Sequence, residues 1–164
     1  MKIMGKLQSF GKVMMIPIAA ITFASFFMGL GGAFTNSDTI KALNLSGIIN
    51  EQTGVIYFFQ IMKAAGEVVF KYLPLFFCLG ASFGLAKKEQ GFAALSGAMG
   101  YLAFHTVISQ ILKIQGLTAD TVTVDFLKEQ GMNNINAYRF NSLFTTELGI
   151  FTYKMSIFGG LFVG

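Results

Sequence analysis

The chain has 164 residues; 54% are hydrophobic and 12% charged, with nineteen Phe, a mean hydropathy of +0.62 and a net charge of +4. A soluble domain carries about a quarter charged residues, and so short a chain has too little interior to hide this much apolar surface from water, so lipid must cover much of it. The cations are spread along the chain and flank apolar runs, which excludes a nucleic-acid-binding patch and fits membrane-topology charge.

The first element in chain order is Lys12–Phe34, KVMMIPIAAITFASFFMGLGGAF, uncharged after Lys12 and long enough to cross a hydrocarbon core about 30 Å thick. Pro17 near its start can kink a helix or sit in its first turns at low cost. Lys2, Lys6 and Lys12 form a basic flank such as a signal peptide has, but the apolar run is longer than a secretory h-region and further spans follow, so an uncleaved first helix is expected. Thr35–Thr53 is polar and reads as an external loop with room for a short helix.

The second apolar region, residues 54–86, has two halves. In the first, Lys63, Glu67 and Lys71 recur every four residues and share one helical face, with two possible i,i+4 ion pairs. The second, YLPLFFCLGASFGLA, is uncharged, and Pro74 near the junction predicts a kink in one long tilted helix. An interfacial amphipathic helix followed by a short re-entrant segment is the alternative. After the basic break Lys87–Lys88–Glu89, a third span is expected over residues 91–112. It holds His105, an intramembrane ionisable group and so a functional candidate, although a neutral His with one hydrogen bond can equally be structural. In the long polar stretch Lys113–Glu147, the alternation of Thr121–Phe126 predicts a short strand, and Asn133, Asn134 and Asn136 mark loop. A fourth apolar run opens at Met155, over residues 155–164, and stops in what reads as mid-helix.

The fold class expected is therefore all-α, a polytopic transmembrane helical bundle of three full spans and the start of a fourth. Charge sets its orientation. The N-terminal tail carries three Lys and no acid, and the Lys87–Glu89 connection nets plus one. The other two connections each net minus one: Asp38, Lys41 and Glu51 in the first, and three cations against four anions from Lys113 to Glu147 in the second. This alternation predicts a cytoplasmic N-terminus, with Thr35–Thr53 and Lys113–Glu147 outside.

Soluble-enzyme motifs are missing: there is no GxxxxGK[ST] loop, no CxxC, and no carboxylate pair at membrane depth. Cys78 is the only cysteine and rules out an internal disulfide; inside an apolar run it reads as a buried thiol. One His and one Cys cannot build a zinc site. No cofactor, metal or catalytic residue is expected. Ala20/Ala24, Gly80/Gly84 and Gly160/Gly164 are small-xxx-small pairs of the kind that let helices approach closely in lipid. Glu67 between its two lysines would line an aqueous path or form a solvated face at the membrane edge.

Four segments carry a family resemblance: Phe10–Phe34 with its FGKVMMIP opening and Gly-rich end, Lys71–Phe104 (KYLPLFFCLGASFGLAKKEQGFAALSGAMGYLAF), the polar external loop after it, and Leu148–Gly164 (LGIFTYKMSIFGGLFVG). Together they resemble the enzyme IIC membrane subunit of phosphotransferase-system sugar transporters, and most closely its maltose, glucose and α-glucoside branch. The resemblance implies a multi-pass permease of the bacterial cytoplasmic membrane. It would take a glucose- or maltose-type sugar from outside and present it to a phosphorylated IIB partner, with phosphate originating from phosphoenolpyruvate. It also implies a homodimer whose N-terminal helices, this segment, form the scaffold. The family's sugar-contacting His and Glu motifs and the IIB cysteine motif have no counterpart here. His105 and Glu67 are the remaining candidates for substrate contact, Pro74, Gly84 and Lys87 have a structural look, and this segment alone is expected to be inactive in vesicles. Two other classes stay open: a small membrane scaffold or interaction protein, and an ion-driven secondary transporter, for which only His105 lies deep enough.

Overall fold

Helix α1 spans Lys2–Ala33, and its Gly11–Ala33 stretch is 23 residues long at a mean hydropathy of 2.1. The computed structural model describes residues 2–164, with side chains at Gln8 and from residue 11 onward; Met1 and the side chains of Lys2, Lys6 and Phe10, from the basic tail and the opening motif, lie outside the described ones. Pro17 is inside α1 and fully buried. It has no N–H, so the Val13 carbonyl loses its intrahelical partner. Helix α2 (Ser37–Ala42) is capped by the Asn36 side chain, which accepts from the Asp38 and Thr39 N–H groups.

The second apolar region is two helices, α3 (Val55–Lys71) and α4 (Leu73–Leu85), meeting at Tyr72 with a 60° bend. One kinked helix was expected; the chain breaks instead, because Pro74 in the first turn of α4 has no N–H to continue the α3 ladder. Both halves lie against α1 and run antiparallel to it. Gly31 of α1 abuts the α3 backbone at Phe59 and Lys63, and Gly66 of α3 abuts Ala24 and Met28. In α4, Gly80 abuts Val13 and Pro17, and Gly84 abuts Lys12 and Val13. The bent pair thus follows α1 from its Ala33 end to its Lys12 end.

Helix α5 (Gln90–Ile114) is 25 residues long at a mean hydropathy of 1.3. Two helices are therefore long and apolar enough to cross a membrane, and the bent pair makes a third if it is one span. Many large apolar side chains on these helices are well over half exposed, among them Phe23, Ile61 and Met99, as lipid-facing surface requires.

Beyond α5 the polar stretch is more ordered than its composition suggests. Thr121–Phe126 is not a strand: Thr123 caps α6 (Val124–Glu129) by accepting from the Phe126 N–H, and no strand lies alongside to reward the alternation. The Asn-rich stretch is not all loop either; Asn133 caps α7 (Asn134–Asn141). The strands lie later, β1 (Phe144–Glu147) and β2 (Ile150–Tyr153), paired antiparallel with Phe144 opposite Tyr153 and Glu147 opposite Ile150. Their turn places Leu148 at φ 50° and Gly149 at φ 85°, the positive-φ pair a two-residue hairpin needs. Leu112, Val122 and Phe144 form a buried core, with Ile108, Leu117, Phe140 and Phe151 packed on it, and this core seats the hairpin on α5. Helix α8 (Ser156–Val163) then turns onto α4, where Gly160 abuts the Pro74 carbonyl and Gly164 abuts Cys78 and Ala81.

Candidate functional site

One face of α5 is built of Gly97, Tyr101, His105 and Ser109, spaced by four residues and all buried. At its Gln90 end this face meets α4: Gly97 abuts Ser82, and the Cys78 Sγ donates to the Gly97 carbonyl at 3.2 Å. Ser82 Oγ donates to the Cys78 carbonyl at 2.9 Å. Cys78 is thus a structural thiol, fully buried and engaged at the crossing of α4 and α5.

One turn further along, the face meets the hairpin. His105 Nδ1 lies 3.0 Å from Thr152 Oγ1, and the two residues are 2% and 0% exposed. The Tyr101 ring packs edge-on against the His105 ring, with centroids 4.4 Å apart. Among the described residues, His105 Nε2 and the Tyr101 hydroxyl are buried without a hydrogen-bond partner. Glu147 of β1 makes no hydrogen bond of good geometry with the Tyr101 hydroxyl. A buried polar group of Tyr101, His105 and Thr152 thus gathers where α5 meets the hairpin, with Glu147 at the end of β1.

Burial pushes the Glu147 carboxyl above its ordinary range, against the opposing pull of Tyr101 and Lys71. The folded hairpin therefore holds the Glu147 proton more tightly than an unfolded chain does. The resulting stability is full below the ordinary carboxylate pKa of about 4.3 and is lost as pH rises through the raised value. Glu147→Gln should raise the thermal midpoint in detergent at neutral pH and flatten its dependence on pH in the acid range; melts from pH 4 to 8 check both.

The second sequence candidate lies elsewhere. Glu67 is on α3, 3.7 Å from Lys63, with both side chains about half exposed. Helices α3 and α5 share no extensive packing, and Glu67 pairs with Lys63 of its own helix while His105 meets Thr152 of the hairpin. Sequence reasoning singled out His105 but missed Tyr101, Glu147 and Thr152. The spacing of Tyr101, His105 and Ser109 was a usable signal for the α5 face; nothing local pointed to Thr152. Among the described residues, no group of three or more His, Cys, Asp and Glu stands together as a metal site.

Two cavities flank the cluster. One of ≈ 290 Å³ lies between Thr106, Ser109, Gln110 and Lys113 of α5 and the turn at Gly149–Phe151. The other, ≈ 850 Å³, is lined by Phe104, Tyr153, Met155, Phe158 and Phe162, with Lys154 its one charged group. Its walls suit hydrocarbon and offer little to a polyhydroxylated solute. The model of one family, described as "Phosphotransferase system, EIIC", matches residues 11–164.

The chain belongs to the phosphotransferase-system EIIC family. No solved structure matches it. EIIC domains are sugar permeases of the cytoplasmic membrane that work with a sugar and an EIIB partner, and α1, α5 and the bent α3–α4 pair are the candidate membrane spans of this one.

Proposed function

We propose that this chain is the N-terminal scaffold of an EIIC from the glucose, maltose and α-glucoside branch, with its N-terminus in the cytoplasm, working as a homodimer. The observation that carries this reading is the family match over residues 11–164, joined to the branch-like segment Lys71–Phe104. Within that segment the residues of the shared motif have structural work here: Pro74 starts α4 after the break, Gly84 receives the backbone of α1, and Lys87 follows at the basic connection. The acidic and basic connections alternate as the orientation requires.

In this reading the chain supplies helices that hold and orient the permease, and the sugar's direct ligands lie mainly outside residues 1–164. Of the two substrate candidates, Glu67 is exposed, while His105 is committed to Thr152 of the hairpin. Transport ends in phosphoryl transfer from EIIB to the sugar, so uptake should depend on phosphoenolpyruvate and yield a sugar phosphate.

The test is uptake by vesicles carrying the full permease, its EIIB and the soluble phosphate carriers, given labelled glucose, maltose and a methyl α-glucoside in turn. One of these should accumulate as its phosphate only when phosphoenolpyruvate is present. Accumulation of free sugar without phosphoenolpyruvate, abolished by an ionophore, would instead mean an ion-driven transporter.

A further inference from the structure

The packing of α3 on α1 sets the depth of a charged stripe in the membrane. The Gly11–Ala33 run of α1 has 23 residues. At about 1.5 Å per residue it is some 34 Å long, close to the roughly 30 Å hydrocarbon core it crosses. Its midpoint falls near residue 22. Gly66 of α3 abuts Ala24 and Met28, so the adjoining Glu67 lies within about a turn of mid-depth. Lys71 lies one turn further in, and Lys63, next to Gly31, lies near the Ala33 end. Gln60, Ala64, Glu67 and Lys71 form one exposed stripe of α3 on the side away from the Gly66 seam, with Lys63, whose backbone abuts Gly31 of α1, at its edge.

Facing lipid, that stripe would place an ammonium and a carboxylate at the centre of the bilayer, where ionisable side chains occur only against a polar partner or water. The Lys63–Glu67 contact at 3.7 Å is loose, and Lys71, 5.3 Å from the centre of the Tyr72 ring, makes no ion pair with a carboxylate among the described residues. A second copy of the chain covers the stripe poorly. Two copies with the same topology are related by an axis along the membrane normal, so residues of equal depth come level with each other. Where the stripe lies on that axis, Lys63 would meet Lys63, and Glu67 would meet Glu67.

We propose that this face of α3 lines a water-filled vestibule, running from the Ala33 end of α1 to mid-depth and ending at the α3/α4 break. The break is the natural floor, because there the last α3 carbonyls lose their helical partners. A vestibule of this chemistry admits water and neutral hydroxylated solutes and excludes hydrocarbon. The inference rests on helix packing and membrane placement, and not on the sugar branch, the dimer or the phosphoryl chemistry.

Cysteine accessibility along α3 tests it in the full chain, in native membranes. Single cysteines replace Gln60, Ala64 and Glu67 on the stripe, and Ile61 and Val68 beside it. The parent, whose one thiol within residues 1–164 is the fully buried Cys78, serves as the blank. A membrane-impermeant maleimide should label the three stripe positions at least tenfold faster than positions 61 and 68. Ala64→Cys decides if a charge-bearing site disturbs folding, because it leaves every charge in place. Equally slow labelling at all five positions would put the stripe in lipid and overturn the vestibule. So would protection at 60, 64 and 67 with oxidant-induced dimers, which would put a second copy on this face. Neither result would bear on sugar phosphorylation, which the uptake assay reads separately.

Discussion

Gly80→Val should destabilise the protein by about 3 kcal/mol or more, seen as a lower thermal midpoint in detergent. A Cβ at Gly80 would lie 2.5 Å from the Val13 carbonyl oxygen and 2.8 Å from the Pro17 ring. Neither neighbour is a flexible chain end, so the helices must separate. The contact also has a chemical content. Pro17 takes the N–H from the Val13 carbonyl, and the α-carbon of Gly80 faces that freed oxygen, where a Cα–H···O contact can replace part of the missing bond. A larger residue would remove the replacement as well as the fit. Gly29→Ala is the internal control: Gly29 is also inside α1, but nothing lies within 4 Å of a Cβ placed there. That substitution should be neutral or gain up to about 1 kcal/mol from helix propensity. If both variants lost stability alike, the α1–α4 seam would not be the reason.

The membrane helices were legible because apolar runs of twenty residues have few other uses. Expected spans over residues 12–34 and 91–112 correspond to the apolar stretch Gly11–Ala33 and to α5, Gln90–Ile114. The small-xxx-small pairs Gly80/Gly84 and Gly160/Gly164 did mark the helix seams, on α1 and α4 respectively. The break at Tyr72 was less visible, since both sides of it are apolar and only Pro74 hinted at it. The hairpin was missed for a physical reason. Thr121–Phe126 alternates better than Phe144–Tyr153 does, but strand pairing is decided by the neighbour and not by the pattern. Phe144 and Phe151 gain a core against α5, whereas the Thr123 hydroxyl finds its best partner in the first turn of a helix.

The site was half legible for a similar reason. A lone His in an apolar run declares itself, and Lys63–Glu67–Lys71 announce a face by their spacing. What each of these groups meets is set by the fold. His105 meets a threonine 47 residues away, and Glu67 meets neither His105 nor the hairpin. Depth was equally hidden: from spacing alone the charged stripe fits an aqueous path or a solvated edge, and it is the Gly66 contact that sets it beside the middle of α1.

Thr152→Val should cost about 1–3 kcal/mol, although valine matches threonine in shape. The loss comes from what stays behind. His105 is 2% exposed and already has one ring nitrogen without a partner; removing the Thr152 hydroxyl leaves the other one unpaired too. A buried polar atom stripped of its partner keeps its full desolvation cost, whereas removing both partners together can be nearly neutral. The double variant His105→Phe/Thr152→Val should therefore recover much of the stability that Thr152→Val loses. Thermal midpoints of the two singles and the double, taken as a cycle, measure the coupling. Hydrogen exchange at the Phe144–Tyr153 amides localises it, because Thr152 is in β2 and its release should open the hairpin before the membrane helices. The consequence reaches further than the hairpin. Lys154 and Met155 lead directly from β2 into α8, whose Gly160 and Gly164 pack on α4 at Pro74, Cys78 and Ala81. A hairpin unlatched from His105 frees the entry to α8, so exchange should rise next at the start of that helix while Gly80 and Gly84 continue to hold α4 on α1. Uniform exchange along α1, α5 and the hairpin, or a neutral Thr152→Val, would mean that His105 and Thr152 do not form the latch.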